Sequence, residues 1–118
     1  MNRVISNKVN KAIESWKNGN FSETVEFLKS CEYSELVEFG YIFEENDLDI
    51  KDILIKADLE DCSTSIDVLD ALDGMKEKNA HRVRFSWSAM NDSETFILGV
   101  YIKRCSLSID EFFDMLNS

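Results

Sequence analysis

The stretch RVRFSWSAMNDSETFILGVYIKR, residues 82–104, decides the predicted fold class of this 118-residue chain. Apolar and polar residues alternate along 82–89, and apolar residues recur at every second position from 96 to 102. A period of two is typical of strands with one buried face. A tight turn at 91–94 would put four apolar pairs on that face: Ala89–Phe96, Trp87–Leu98, Phe85–Val100 and Val83–Ile102. We therefore predict an antiparallel β-hairpin over residues 82–104.

The chain on either side of this stretch has the 3.6-residue apolar period of amphipathic helices. Residues 3–77 predict about five helices, and the capping box Ser108-Ile-Asp-Glu111 predicts a C-terminal helix over 108–117. A lone hairpin is marginal in water, so its apolar face must pack on the helices. The predicted fold class is α+β: about five N-terminal helices, one antiparallel β-hairpin and a C-terminal helix in a single compact domain, 1–118. The N-terminal helices are expected from residue 3 to about 18, after Asn20, from about 34 to 45, after Asp49 and after Ser65.

Composition limits the class of protein. Apolar residues make up 44% of the chain, with no proline and four glycines, which fits a folded domain with long helices. The N-terminus lacks the apolar core of a secretory signal, and no stretch approaches the roughly 18 apolar residues that span a bilayer. Cys31, Cys62 and Cys105 are odd in number and widely spaced. Free thiols in a reducing compartment follow, and we expect a cytoplasmic protein.

The residues that usually carry catalysis or bind metal are scarce. His81 is the only histidine, and the cysteines have no ligand spacing, so we predict no metal site. Asp67, Asp70 and Asp73 are three residues apart, unlike the alternate ligands of a calcium loop. No phosphate-binding glycine loop and no nucleophile elbow are present. We predict no catalytic residues, no cofactor and no enzymatic activity.

Negative charge is concentrated in one third of the chain. Residues 32–73 contain fourteen acidic residues against Lys51 and Lys56, which gives 2 − 14 = −12, whereas the whole chain sums to −10. Such a concentration of like charges lowers the stability of the fold through mutual repulsion, and it attracts cationic surfaces over long range. Simple solvation explains it poorly, because interleaved bases would solubilise equally well without the repulsion. A basic protein is the expected partner.

The expected partner-binding residues are the acidic side chains of the predicted helices, with an aromatic and an aliphatic residue on the third helix. Tyr41 and Ile42 fall on that helix's outer side, where they either anchor a partner or are covered by another helix of the same domain. The full predicted set is Glu35, Glu38, Tyr41, Ile42, Glu44, Glu45, Asp47, Asp49, Asp52, Glu60, Asp61, Asp67, Asp70 and Asp73.

The predicted hairpin has the opposite charge. Its polar face would carry Arg82, Arg84, Tyr101 and Lys103, with Arg104 at the edge. Bases and aromatics on a sheet can bind single-stranded nucleic acid, but the net field of the chain repels phosphate. We expect these bases to contact either the acidic helices or the rim of a partner, and we expect neither nucleic acid nor a membrane to bind directly.

In size, acidity, free thiols and lack of catalytic apparatus, the chain resembles the immunity proteins of bacterial toxin systems. This likeness is one of type and rests on no motif. It implies a small acidic inhibitor that binds and neutralises a cationic toxin nuclease in the producing cell. The alternatives are a DNA-mimic or phage-encoded inhibitor of a nucleic-acid enzyme, and a non-catalytic helical adaptor whose charge is incidental.

Overall fold

The computed structural model describes residues 6–118, and within that range the chain forms α-helices and no β-strand. Eight helices follow one another there, joined by short loops. They are α1 (Asn7–Lys17), α2 (Phe21–Ser30), α3 (Tyr33–Glu45), α4 (Ile50–Lys56), α5 (Ile66–Lys76), α6 (Ala80–Ser88), α7 (Asp92–Arg104) and α8 (Ile109–Leu116).

The predicted β-hairpin is wrong, and with it the α+β fold class. Residues 82–104 fall in two helices, α6 and α7, connected by residues 89–91. The expected hairpin turn is a helix start: the Asn91 side chain accepts a hydrogen bond from the Glu94 amide at 2.9 Å, and Glu94 accepts one from the Asn91 amide at 3.1 Å. This reciprocal pair is a capping box, in which two otherwise unpaired backbone donors are satisfied.

The alternating pattern was misleading because α7 is buried on almost every side. Residues 95–100 are consecutive and all buried, so the helix has no polar face that would reveal a 3.6-residue period. Its β-branched and aromatic residues favour strands by propensity, which tertiary burial overrides here. On α6 the same alternation turns side chains in opposite directions: Val83 is fully buried, whereas Phe85 is 72% exposed.

The helix crossing of α3 and α7 lies at the centre of the fold. A Cβ atom added to Gly40 on α3 would collide with the carbonyl oxygen of Phe96, and one added to Gly99 on α7 would collide with that of Val37. The two backbones therefore approach at a distance that only glycine permits. Aromatic rings pack in the core beside this crossing: the ring centroid of Phe43 lies 5.6 Å from that of Phe39 on the same helix and 6.0 Å, edge-on, from that of Phe96 on α7.

The remaining helices surround this pair. Helices α1 and α2 pack together, α1 also contacts α3, α5 contacts α7, and α5 and α6 pack on each other. Trp16 of α1 reaches the core ring of Phe43, at 5.6 Å between centroids. Trp87 of α6 is half-buried between Tyr33 and Phe112. The core thus draws on most of the chain.

The five predicted N-terminal helices are present with small shifts at their ends. Gly19 has φ 83° and ends α1 in a Schellman arrangement, in which the Asn20 amide donates to the Ser15 carbonyl at 2.8 Å. Asp49 caps α4 by accepting from the Asp52 amide at 3.2 Å. Asn20 and Ser65 stand at the expected N-cap positions but make no side-chain cap hydrogen bond. Residues 3–5 of the first predicted helix lie outside the described residues.

Candidate functional site

The first predicted partner contacts, on α3, are partly internal. Glu38 is only 1% exposed, and it accepts a hydrogen bond from the Ser6 amide at 3.3 Å. Glu35 is half-buried and accepts from the Glu32 amide at 3.2 Å, closing the capping box that starts α3. Burial removes Glu38 from any surface that a partner could touch, and Glu35 is engaged in holding the helix start.

Tyr41 and Ile42 are half-buried rather than fully outward. Both pack against the core, and the Lys103 ammonium lies 5.8 Å from the centroid of the Tyr41 ring. Such a cation over an aromatic face is favourable by about 0.5–1 kcal/mol at an exposed site. Much of the apolar surface of both side chains is therefore buried within the chain.

The carboxylates at the end of α3 are paired with bases of α7. Arg104 donates to both oxygens of Glu44, at 2.7 and 3.1 Å, in the bidentate geometry that suits a guanidinium. These hydrogen bonds raise the pKa of Arg104 above its ordinary value. Lys103 lies 4.0 Å from Glu45. These pairs show Arg104 and Lys103 in contact with an acidic helix, which is one of the two roles expected for the basic residues.

The acidic row on α5 is also partly neutralised from within. Arg82 of α6 donates to Asp70 at 2.8 Å and to Glu77 at 3.0 Å, and it lies 3.7 Å from Asp73. The hydrogen bond to Asp70 is the main cause that raises the pKa of the Arg82 guanidinium. Asp67 is half-buried at the start of the same helix, without an ion pair to any base of residues 6–118. A cation thus occupies the middle of the α5 row.

The segment 47–61, which contains α4, differs because most of its carboxylates have no basic neighbour. Only Asp52 is paired, with Lys56 one turn along the helix. The others, within the described part of the chain, are exposed and form no ion pair with a base: Asp47, Asp49, Asp58, Glu60 and Asp61. Their hydrogen bonds are local, such as that from the Ser63 amide to Asp61 at 3.1 Å. The unbalanced negative charge therefore lies here.

A shallow groove runs beside α4, between this helix and the loop that follows it. Its volume is about 560 Å³, and we call it the α4 groove; its lining residues are Lys51, Leu54, Ile55, Asp58, Leu59 and Asp61. Sequence reasoning did not single out Ile55 or Asp58. The helical spacing of the inner residues Ile50, Ile53 and Ala57 places Ile55 on the outer side of the helix, and this pattern could have identified Ile55 as an exposed apolar residue.

The remaining chemistry of the described residues is sparse. Within residues 6–118, no group of three or more His, Cys, Asp or Glu side chains is placed to hold a metal ion. No helix in that range is long and apolar enough to cross a membrane. His81 is exposed on α6, and the thiols of Cys31, Cys62 and Cys105 are all free.

Comparison with known proteins yields no relative: no protein-family model, curated protein or solved structure matches this chain.

Proposed function

We propose that this protein is a non-catalytic inhibitor that binds and neutralises a cationic protein, in the manner of an immunity protein that protects a cell from a nuclease toxin. The observation that carries the proposal is the excess of carboxylates in segment 47–61 that no base of the described residues neutralises. A nuclease presents a basic surface to its phosphate substrate. The same surface can pair with carboxylates through charge-assisted hydrogen bonds.

The charge arrangement favours an immunity-type inhibitor over a DNA mimic. A mimic would present a row of carboxylates spaced along a helix, and the row on α5 is the best candidate for one. However, Arg82 lies within hydrogen-bonding distance of Asp70 and Glu77, so a cation interrupts the row. A phosphate backbone has no such interruption. This contact counts against mimicry by α5 but leaves the unpaired acids of segment 47–61 available to a protein partner.

The helical-adaptor alternative makes a different prediction about charge. An adaptor with incidental charge needs no electrostatic steering, so its binding should depend little on salt. An inhibitor of a cationic protein should associate rapidly at low ionic strength, because complementary fields act mainly on the encounter rate. The salt dependence of association therefore separates the two functions.

We further propose that the protein works in the cytoplasm. The proposal rests on the three cysteines, which are free and widely separated in the chain. An oxidising compartment would favour their pairing or modification, whereas a reducing one keeps them as thiols.

The test is to co-purify the tagged full-length chain from its native source and to identify the bound protein. We expect a basic partner, a one-to-one complex and stoichiometric loss of the partner's nucleic-acid cleavage. The association rate should fall steeply as salt rises to physiological levels, where the screening length is about 8 Å. A neutral or acidic partner, or an association rate that does not respond to salt, would contradict the proposal. An upstream toxin gene would favour immunity, and a prophage setting would favour mimicry.

A further inference from the structure

The α4 groove continues into a second depression toward α7. The second depression has a volume of about 160 Å³, and it is lined in part by Tyr101 and Arg104 of α7. Both depressions share Lys51, Leu54 and Asp61. Because they share these three residues, the two depressions adjoin and form one trough along α4.

The trough carries apolar side chains that are open to solvent. Ile55 is 80% exposed, the highest value among the large apolar side chains of the described residues, and Leu59 is half-buried beside it. Leaving an isoleucine in water forfeits the roughly 1.5–3 kcal/mol that full burial would contribute. An apolar side chain from a partner would recover part of that burial here.

The rim of the trough carries the charge that identifies its occupant. Asp58 and Asp61 line it, and Glu60 lies between them in the chain, all exposed and without a base paired to them in residues 6–118. Lys51 is the only base that lines the α4 groove, and Lys56 is held by Asp52. Arg104, which lines the second depression, is held by Glu44. The local balance is therefore negative, and it favours a segment that brings Lys or Arg.

We propose that the α4 groove is the docking surface for a cationic protein partner, which inserts a segment with an apolar side chain flanked by Lys or Arg. The proposal rests on the proposed function and specifies which surface performs it. The apolar side chain would cover Ile55 and Leu59, while the flanking bases would pair with Asp58 and Asp61. An apolar centre within a charged rim is the usual anatomy of a protein interface.

A competing surface exists on α5 and α6, where Ile66 is 75% and Phe85 is 72% exposed. Three of its carboxylates, Asp70, Asp73 and Glu77, contact Arg82, so its attraction for a cation is weaker although Asp67 has no ion pair to a base of residues 6–118. This surface therefore supplies the matched control rather than the proposed site.

The first experiment titrates the isotopically labelled full-length chain with a synthetic probe and follows the backbone amide signals. The probe is a capped peptide in which two leucines are flanked on each side by Lys-Arg, and a second peptide has serine in place of both leucines. We expect shifts confined to residues 50–61 and the facing part of α7, and weaker binding of the serine peptide. Shifts centred on residues 66–88, or no binding of the leucine peptide at millimolar concentration, would overturn the proposal.

Variants then test each part of the groove. The pair Asp58→Asn with Asp61→Asn should weaken binding of the leucine probe about three- to tenfold, as expected for loss of two exposed ion pairs. Ile55→Ser should weaken it to a similar extent, because the apolar contact is lost. Lys51→Gln should strengthen binding about two- to fivefold, since it removes the repelling charge. All four positions are exposed, so we expect each variant to fold, and thermal melts check this.

The controls lie on α5: Ile66→Ser and Asp67→Asn should leave affinity for the probe within about twofold of wild type. Equal losses from the control and groove variants would mean that only overall charge matters, and would overturn the assignment. The native partner separates the two failures. If it binds the groove variants as tightly as wild type, the groove assignment fails while the proposed function stands. If no basic protein binds the chain at all, the proposed function itself fails.

Discussion

Replacing Gly99 with alanine should destabilise the protein, although the same change in an ordinary helix stabilises it. Alanine is favoured over glycine in a helix interior by about 1 kcal/mol. At Gly99, however, the added Cβ would lie 2.9 Å from the backbone nitrogen of Tyr41 and collide with the carbonyl oxygen of Val37. Both obstacles are backbone atoms of α3, which cannot turn aside as a side chain could.

Because both obstacles are backbone atoms, we expect the upper part of the usual cost of overpacking a core, about 2–3 kcal/mol, which exceeds the gain in propensity. We therefore expect Gly99→Ala to lower the free energy of unfolding by roughly 1–2 kcal/mol net. Gly40→Ala should do the same, since its Cβ would meet Phe96 and lie 3.1 Å from the Val100 nitrogen. The two changes relieve one another once the helices separate, so the double variant should lose less than the sum.

Urea denaturation followed by far-UV circular dichroism and tryptophan fluorescence measures the effect. A control substitution at an exposed helical position, Asn10→Ala, adds propensity without a new contact, and it should unfold at or slightly above the wild-type midpoint. If Gly99→Ala also unfolded above wild type, α3 and α7 would not cross as closely as described, and the central packing would be refuted.

Three further predictions distinguish the helical structure from the hairpin or test local chemistry. Phe96→Ala should cost about 3–5 kcal/mol in urea denaturation because Phe96 is fully buried, whereas Phe85→Ala should change stability by less than about 0.5 kcal/mol, and equal costs would restore the hairpin. Asn91→Ala should cost about 0.5–2 kcal/mol through loss of the cap of α7, and unchanged amide exchange at the start of α7 would contradict it. Burial, with help from Glu35, raises the pKa of the Cys31 thiol to about 11, so iodoacetamide should label exposed Cys105 first and Cys31 only as pH nears that value, since the neutral thiol persists below it. The folded state holds this proton more tightly than the unfolded chain, so its contribution to stability is present at neutral pH and is lost as pH rises through that value; equal labelling of both thiols near neutral pH would contradict the prediction.

For the candidate site, the sequence predicts how much negative charge there is, whereas the tertiary structure determines which carboxylates stay unpaired. That negative charge is concentrated in residues 32–73 follows from the sequence by counting. Which carboxylates stay unbalanced depends on bases distant along the chain: Arg104 reaches Glu44, and Arg82 reaches Asp70. No local pattern predicts such pairs. The sequence therefore predicts a basic partner, while the bases of α6 and α7 leave segment 47–61 as the unbalanced acidic surface on which we propose that this partner docks.

The fold divides in a similar way. Helices with one solvent-exposed face, such as α1 and α4, were predicted from sequence. In such a helix polar residues face solvent and apolar residues face the core, so apolar residues recur with a 3.6-residue period. Residues 95–100 of helix α7 are all buried, so burial on almost every side removed that period and left β-branched and aromatic residues that favour a strand by propensity. Helix α7 packs closely on α3 at Gly40 and Gly99, and this tertiary contact buries residues whose local preference is for a strand. The sequence by itself determined the helices whose 3.6-residue period is clear. Tertiary structure decided α6 and α7, because burial covers residues 95–100 of α7 completely and the exposed Phe85 gives α6 a false period of two.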